Sequence, residues 1–183
     1  MKPTIILDRD GVINQDSKDY IKSPDEWQPI PGSLEAIRDL KQAGLKVFVV
    51  TNQSGIGRGF YSIDVLAAIH EKMQNLIIGL GSSPIDHIYY CPHHPDAQCD
   101  CRKPKPGLLN QARAEYQLEG EIYYVGDSLK DVQAAKAAGI NSVVVLTGNG
   151  LKTQQALNDS TVPVFKDLKR FAAHFLKSIT ATS

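Results

Sequence analysis

The chain has 183 residues, with 20 Lys and Arg balancing 20 Asp and Glu, and a hydrophobic content of 42%. That length suits one domain over 1–183 with a core of its own, and the even charge offers no basic excess for nucleic acid. No apolar run approaches the ~20 residues of a membrane span, and the apolar stretch 4–7 is too short for a secretion signal. The expectation is a cytoplasmic monomer, either an enzyme or a small binding domain, with no membrane or nucleic-acid partner.

In chain order, residues 4–7 (TIIL) read as a first β-strand, followed at once by Asp8-Arg9-Asp10-Gly11. Ser33 can cap a helix carrying Leu34, Ile37 and Leu40 and stopped by Gly44. Residues 45–50 (LKVFVV) are a second strand, running into Thr51-Asn52-Gln53-Ser54. Ser62 opens a helix with Leu66, Ile69, Met73, Leu76 and Leu80 on one stripe. Strands at 86–90 and 121–125 flank a helix over 107–118, and the second leads into Gly126-Asp127-Ser128. A helix over 128–138, strands at 142–146 and 162–165, and a helix carrying Leu168, Phe171 and Phe175 complete the chain, with residues 179–183 expected to fray. Near-continuous apolar strands alternating with helices predict an α/β fold with a doubly wound parallel sheet. Two glycine-rich stretches are not phosphate loops. Phe60 occupies the third glycine position after Gly55 and Gly57, and Leu151 separates Gly150 from Lys152.

In such a sheet, ligands bind beyond the carboxyl ends of the strands. The Asp8, Thr51 and Asp127 clusters therefore converge on one edge, joined by the basic pair Arg102-Lys103. Carboxylates, a hydroxyl, amides and cations together suit Mg²⁺ and a phosphate ester. Asp131, three residues after Ser128, reads as the acid of a capping box.

A second constellation is independent of the first. Cys91, Cys99 and Cys101 are the only cysteines and fall within eleven residues. With His93 they form a C-x-H…C-x-C set across the loop 91–101, the donor complement of a closed, structural Cys₃His zinc site. His93 is preferred to His94 because the one-residue spacing then repeats on both arms. The loop leads directly into Arg102-Lys103, so zinc there would fix the placement of Lys103.

The order D-x-D-G, Thr, Lys, G-D-x-x-x-D resembles the haloacid dehalogenase-like phosphohydrolases. The resemblance implies a Rossmann-like fold with Asp8 as nucleophile, forming an aspartyl-phosphate, and Asp10 as general acid and base. It implies Mg²⁺ held by Asp8, Asp127 and the backbone carbonyl of Asp10, with Thr51 and Lys103 on the transferring phosphoryl group. DRDGVIN, TNQSG, CPHHP, CDCRKP and GDS narrow the resemblance to the heptose 1,7-bisphosphate phosphatases and the neighbouring histidinol-phosphate phosphatases. Successive motifs stand too close for a cap domain. The narrower resemblance implies a small sugar phosphate substrate, contacted by the loop Asp16, Ser17, Lys18, Asp19 and Tyr20, with either Asp16 or Asp19 as ligand, and by Asn52, Gln53, Ser54 and Arg102. Arg58 and Trp27 are expected at the border of the pocket, Trp27 with packing as its alternative role. The leading expectation is release of the C7 phosphate during ADP-heptose synthesis for lipopolysaccharide. Histidinol-phosphate hydrolysis and a non-catalytic zinc module are the alternatives.

Overall fold

Alternate side chains of the first strand decide the layering. In β1 (Thr4–Leu7), Ile5 and Leu7 enter one apolar cluster and Ile6 the other, all three fully buried. The same alternation recurs in β2 (Lys46–Asn52), where Val47 and Val49 face one side and Phe48 and Val50 the other. A strand buried on both faces needs helices on both, and the chain supplies them.

The computed structural model describes residues 1–181. The remaining strands are β3 (His87–Cys91), β4 (Ile122–Gly126), β5 (Asn141–Val145) and β6 (Val164–Phe165). The six form one sheet of order β3-β2-β1-β4-β5-β6, with every pair parallel. Helices α1 (Ser33–Gln42), α2 (Ser54–Gly57), α3 (Ile63–Gly79), α4 (Gly107–Glu115), α5 (Leu129–Ala138), α6 (Gly150–Ala156) and α7 (Leu168–Ala181) connect or follow them. Residues of α1, α3 and α7 fill the Ile5 side of the sheet, and those of α4 and α5 fill the Ile6 side. Among the described residues, no helix is long and apolar enough to cross a membrane.

Several local expectations need correction. Ser33 does not cap α1: the cap position is Gly32 in the left-handed region, and the Ser33 hydroxyl donates to Ile13 O at 2.6 Å. The buried stripe of α3 ends in Ile77, while Leu76 and Leu80 are exposed. Helix α4 stops at Glu115, and β2 runs on through Thr51 and Asn52, carrying its polar end to the sheet edge. The expected fraying does not begin at Ile179, because α7 continues to Ala181; residues 182 and 183 lie outside the described residues.

Helix α7 locks the Ile5 side. Its Phe171 is 2% exposed and packs between Phe165 and Phe175 at centroid distances of 5.6 and 5.4 Å. Phe171→Ala is expected to lower stability by about 3–5 kcal/mol, through lost transfer energy and the cavity left behind. Urea unfolding measures it, and a change below about 1 kcal/mol would show that α7 is dispensable to the core.

Candidate active site

The strand order reverses beside β1, with β2 and then β3 on one side and β4, β5 and β6 on the other. Chains leaving β1 and β4 diverge there and open a crevice at the carboxyl edge. Asp8 stays in ladder register, its N–H donating to Val125 O at 2.9 Å. Asp127 follows β4 by one residue and meets it across the crevice. Gly11 (φ +82) and Gly148 (φ +57) close over Asp127 so tightly that a Cβ on either would collide with Asp127 Oδ2. Both positions demand glycine twice over, for conformation and for space.

Lys103 lies at the centre of this edge. Its side chain is 4% exposed, with Nζ 3.0 Å from Asp8 Oδ1 and 2.8 Å from Asp131 Oδ1. Nζ also donates to the Tyr124 hydroxyl at 2.8 Å, and that hydroxyl donates to Val50 O at 2.9 Å. Asn52 clamps the Lys103 backbone from both directions, accepting from its N–H at 3.1 Å and donating to its carbonyl at 3.2 Å. Burial opposes the lysine charge, but Asp131 and Asp8 outweigh it and hold its pKa above the ordinary value. Asp131 completes the capping box that its spacing from Ser128 suggested, and it also pairs with Lys103.

The acids divide by environment. Burial, reinforced by Asp131, Asp127 and Asp10 and opposed by Lys103, pushes the Asp8 pKa well up. Burial and Asp131 push Asp127 up to about 7 against the Asn149 N–H. Asp8, Asp127 and Asp131 bring carboxylate oxygens within 4.8 Å of one another. Asp131 is occupied by Lys103 and Ser128, which leaves Asp8 and Asp127 as hard oxygen donors facing one gap. That is a donor set suited to a divalent cation such as Mg²⁺. Asp10 differs: burial is overcome by the Arg9 guanidinium and by hydrogen bonds from Asn14 and Gln53, which together lower its pKa.

A cavity of about 270 Å³ opens over these groups. Thr51, Lys103 and the three aspartates Asp8, Asp10 and Asp127 lie at its floor, and Asp16, Ser17, Tyr20, Ser54 and Arg102 reach it from the surrounding loops. Of the two acids of the first loop, Asp16 lines the cavity and Asp19 does not. Trp27 is fully buried in the core and Arg58 is exposed elsewhere; neither borders the cavity. Asn52 and Gln53 line it but are engaged within the protein. The Gln53 amide donates to Asp10 Oδ2 at 2.9 Å and to Thr51 Oγ1 at 3.0 Å, and accepts from the Tyr61 hydroxyl at 2.6 Å. Asn149 was missed from the sequence. Its N–H donates to Asp127 Oδ2 at 2.7 Å, from the loop after β5 at the same sheet edge. Arg102 Nη1 is buried without a partner in this cluster.

The cysteine loop comes together beside this edge. The Cys101 sulfur lies 3.1 Å from both His93 Nδ1 and Cys91 Sγ, and Cys99 Sγ is 3.6 Å from Cys91. All four donor atoms fall within 4.8 Å of one another. His94 points elsewhere, its Nδ1 accepting from the Asp96 N–H at 3.2 Å. Helix α2 and the start of α4 press on this loop: a Cβ on Gly57 would collide with His94 N, and one on Gly107 with Asp100 O.

Comparison with known proteins agrees with the geometry. The sequence model of the haloacid dehalogenase-like hydrolases matches residues 3–139. A D-glycero-β-D-manno-heptose-1,7-bisphosphate 7-phosphatase of Pseudomonas aeruginosa is 50% identical over 175 residues, covering 94% of this chain and 97% of its own. The crystal structure of a D,D-heptose 1,7-bisphosphate phosphatase from Bordetella bronchiseptica, complexed with magnesium and phosphate, superposes with a TM-score of 0.93 at 46% identity, covering 97% of this chain and 99% of that one. Its counterpart from Burkholderia thailandensis gives a TM-score of 0.71 at 39% identity over 96% and 99%. A buried Asp–Lys–Asp cluster at the sheet's switch point, a third carboxylate across the crevice, and these full-length likenesses together establish that the chain belongs to the haloacid dehalogenase-like hydrolases, among the heptose bisphosphate phosphatases.

Proposed function

We propose that this chain is a magnesium-dependent phosphatase that removes the C7 phosphate of D-glycero-β-D-manno-heptose 1,7-bisphosphate. The product is heptose 1-phosphate, made in the cytoplasm for the ADP-heptose of lipopolysaccharide. The observation that carries the substrate is Arg102. Among the described residues its buried Nη1 has no hydrogen-bond partner, and Arg102 lines the cavity beside Lys103. A guanidinium so placed can hold the phosphate that is not cleaved, whereas the imidazole and ammonium of histidinol phosphate would gain nothing from it. The unhindered terminal phosphate is the one that the open cavity delivers to Asp8.

The residues divide the reaction as follows. Asp8 Oδ1 is pinned by Lys103 and by the Arg9 N–H at 2.7 Å, so Oδ2 is the oxygen that attacks phosphorus. A new Asp8–phosphorus bond forms as the bond to the C7 oxygen breaks, and Asp10, which takes up a proton from solvent beforehand, hands that proton to the oxygen. Thr51 and Lys103 offset the charge on the phosphoryl oxygens. Bound between Asp8, Asp127 and the Asp10 carbonyl, Mg²⁺ would supply Lewis-acid stabilisation of the same oxygens. Water then attacks the phosphorus, Asp10 takes its proton, and Asp8 is released with inorganic phosphate. Phosphorus NMR tests the regiochemistry. The C7 resonance is expected to disappear while the C1 resonance persists, with Arg102→Ala weakening turnover of the bisphosphate far more than of a monophosphate of similar size. Loss of the C1 resonance, or faster hydrolysis of histidinol phosphate, would contradict the reading.

We further propose that Cys91, His93, Cys99 and Cys101 hold one structural zinc ion. Three sulfurs and an imidazole nitrogen converging within 4.8 Å support it. Reduced thiols also fit the cytoplasm. With four protein ligands no coordination position is left open, so zinc would take no part in the chemistry. It would instead stiffen the loop that ends in Arg102 and Lys103. Cys101→Ser is expected to lose the zinc and most activity, even with saturating Mg²⁺. Metal analysis paired with turnover checks this, and a zinc-free protein of full activity would overturn it.

A further inference from the structure

Asp10 is more heavily held than a freely moving acid needs to be. Its Oδ1 accepts from Arg9 Nε at 3.0 Å, Arg9 Nη2 at 2.9 Å and Asn14 Nδ2 at 2.9 Å. Its Oδ2 accepts from Gln53 Nε2 at 2.9 Å. Arg9 therefore puts two of its nitrogens on Oδ1, which has three donors in all, while Oδ2 has the single donor Gln53 and is the oxygen less engaged within the protein. Arg9 itself is fully buried, and its remaining amino group, Nη1, lies 3.1 Å from His70 Nε2. His70 stands on α3, 61 residues away in sequence, and is 9% exposed.

The chemistry of this contact is unambiguous. A guanidinium only donates, so His70 Nε2 accepts and the ring is neutral with its proton on Nδ1. Burial, with the nearby Arg9 charge, pushes the His70 pKa down to about 3, which keeps that acceptor present at any working pH. Among the described residues, His70 is the only hydrogen-bond partner given to Nη1. The guanidinium is thus fixed at one end by His70 and grips Asp10 Oδ1 with the other.

We propose that His70 is a positioning residue for phosphoryl transfer: through Arg9 it pins Asp10 Oδ1 and aims Oδ2 at the leaving oxygen. This rests on Asp10 serving as the general acid, as proposed above. A purely structural His70 would satisfy a buried arginine and nothing more. The two roles part company when the leaving group changes. An alkoxide such as the heptose C7 oxygen needs a proton as it departs, whereas p-nitrophenolate leaves without one.

The test uses the intact, zinc- and magnesium-loaded enzyme in excess over substrate, so that leaving-group release reports the first transfer alone. His70→Leu is expected to slow release from the heptose bisphosphate roughly tenfold, and from p-nitrophenyl phosphate by less than about threefold, a fraction of the full general-acid contribution. His70→Gln, whose amide oxygen can accept from Arg9, is expected to recover most of the loss. Thermal melts of each variant confirm that folded protein is compared. Equal slowing on both substrates, no slowing on either, or a His70→Gln protein as impaired as His70→Leu would overturn the proposal. Asp10→Asn is run alongside. If it slows both substrates alike, the general-acid reading fails and the proposal falls with it. If it is selective for the alkyl substrate while His70→Leu is not, only the role of His70 is refuted.

Discussion

Three buried carboxylates share one strand edge with a single lysine in contact, and the surrounding structure is arranged around that imbalance. Asp8, Asp127 and Asp131 stand within 4.8 Å of one another, and Lys103 touches Asp8 and Asp131. Like charges about 4 Å apart repel by about 4 kcal/mol at an effective dielectric near 20. The edge is therefore comfortable only with more positive charge, or with a proton. Burial first, and the neighbouring carboxylates after it, raise the proton affinity of Asp8 and Asp127. A divalent cation supplies the missing charge, and the same preorganised field then faces an incoming phosphoryl group.

Holding Lys103 in place enlists distant parts of the chain. Asn52 at the end of β2 clamps its backbone, Tyr124 on β4 accepts from its ammonium, and Asp131 receives it from the first turn of α5. The loop that delivers Lys103 carries three cysteines and a histidine gathered at metal-binding distances, wedged between α2 and α4. Lys103 is thus held by groups on the sheet and on α5, and the loop that delivers it is packed against α2 and α4.

Much of this was legible in the sequence because it was local. Strand runs with helices between them implied a two-sided parallel sheet. The residues just past strand ends named the edge, and paired one-residue spacings drew His93 rather than His94 into the cysteine cluster. What escaped was set by long-range contacts. Ser33 looks like a cap until Ile13 O, 20 residues earlier, takes its hydroxyl. Leu76 and Leu80 fit a helical stripe, but the face that reaches the core passes through Ile77 instead. Helices α2 and α6, of four and seven residues, are too short to show a period. Asn149, Tyr61 and His70 carry no motif. Their partners are Asp127, Gln53 and Arg9, which only folding brings near.

The most direct measurement is chemical trapping of the first transfer. Rapid acid quench of the magnesium-loaded enzyme turning over radiolabelled heptose bisphosphate should leave label bound to protein, released by hydroxylamine as an acyl phosphate must be. Peptide mapping should place it on Asp8. Label on another residue, or no covalent label under conditions where phosphate is being released, would contradict Asp8 as the nucleophile of this site.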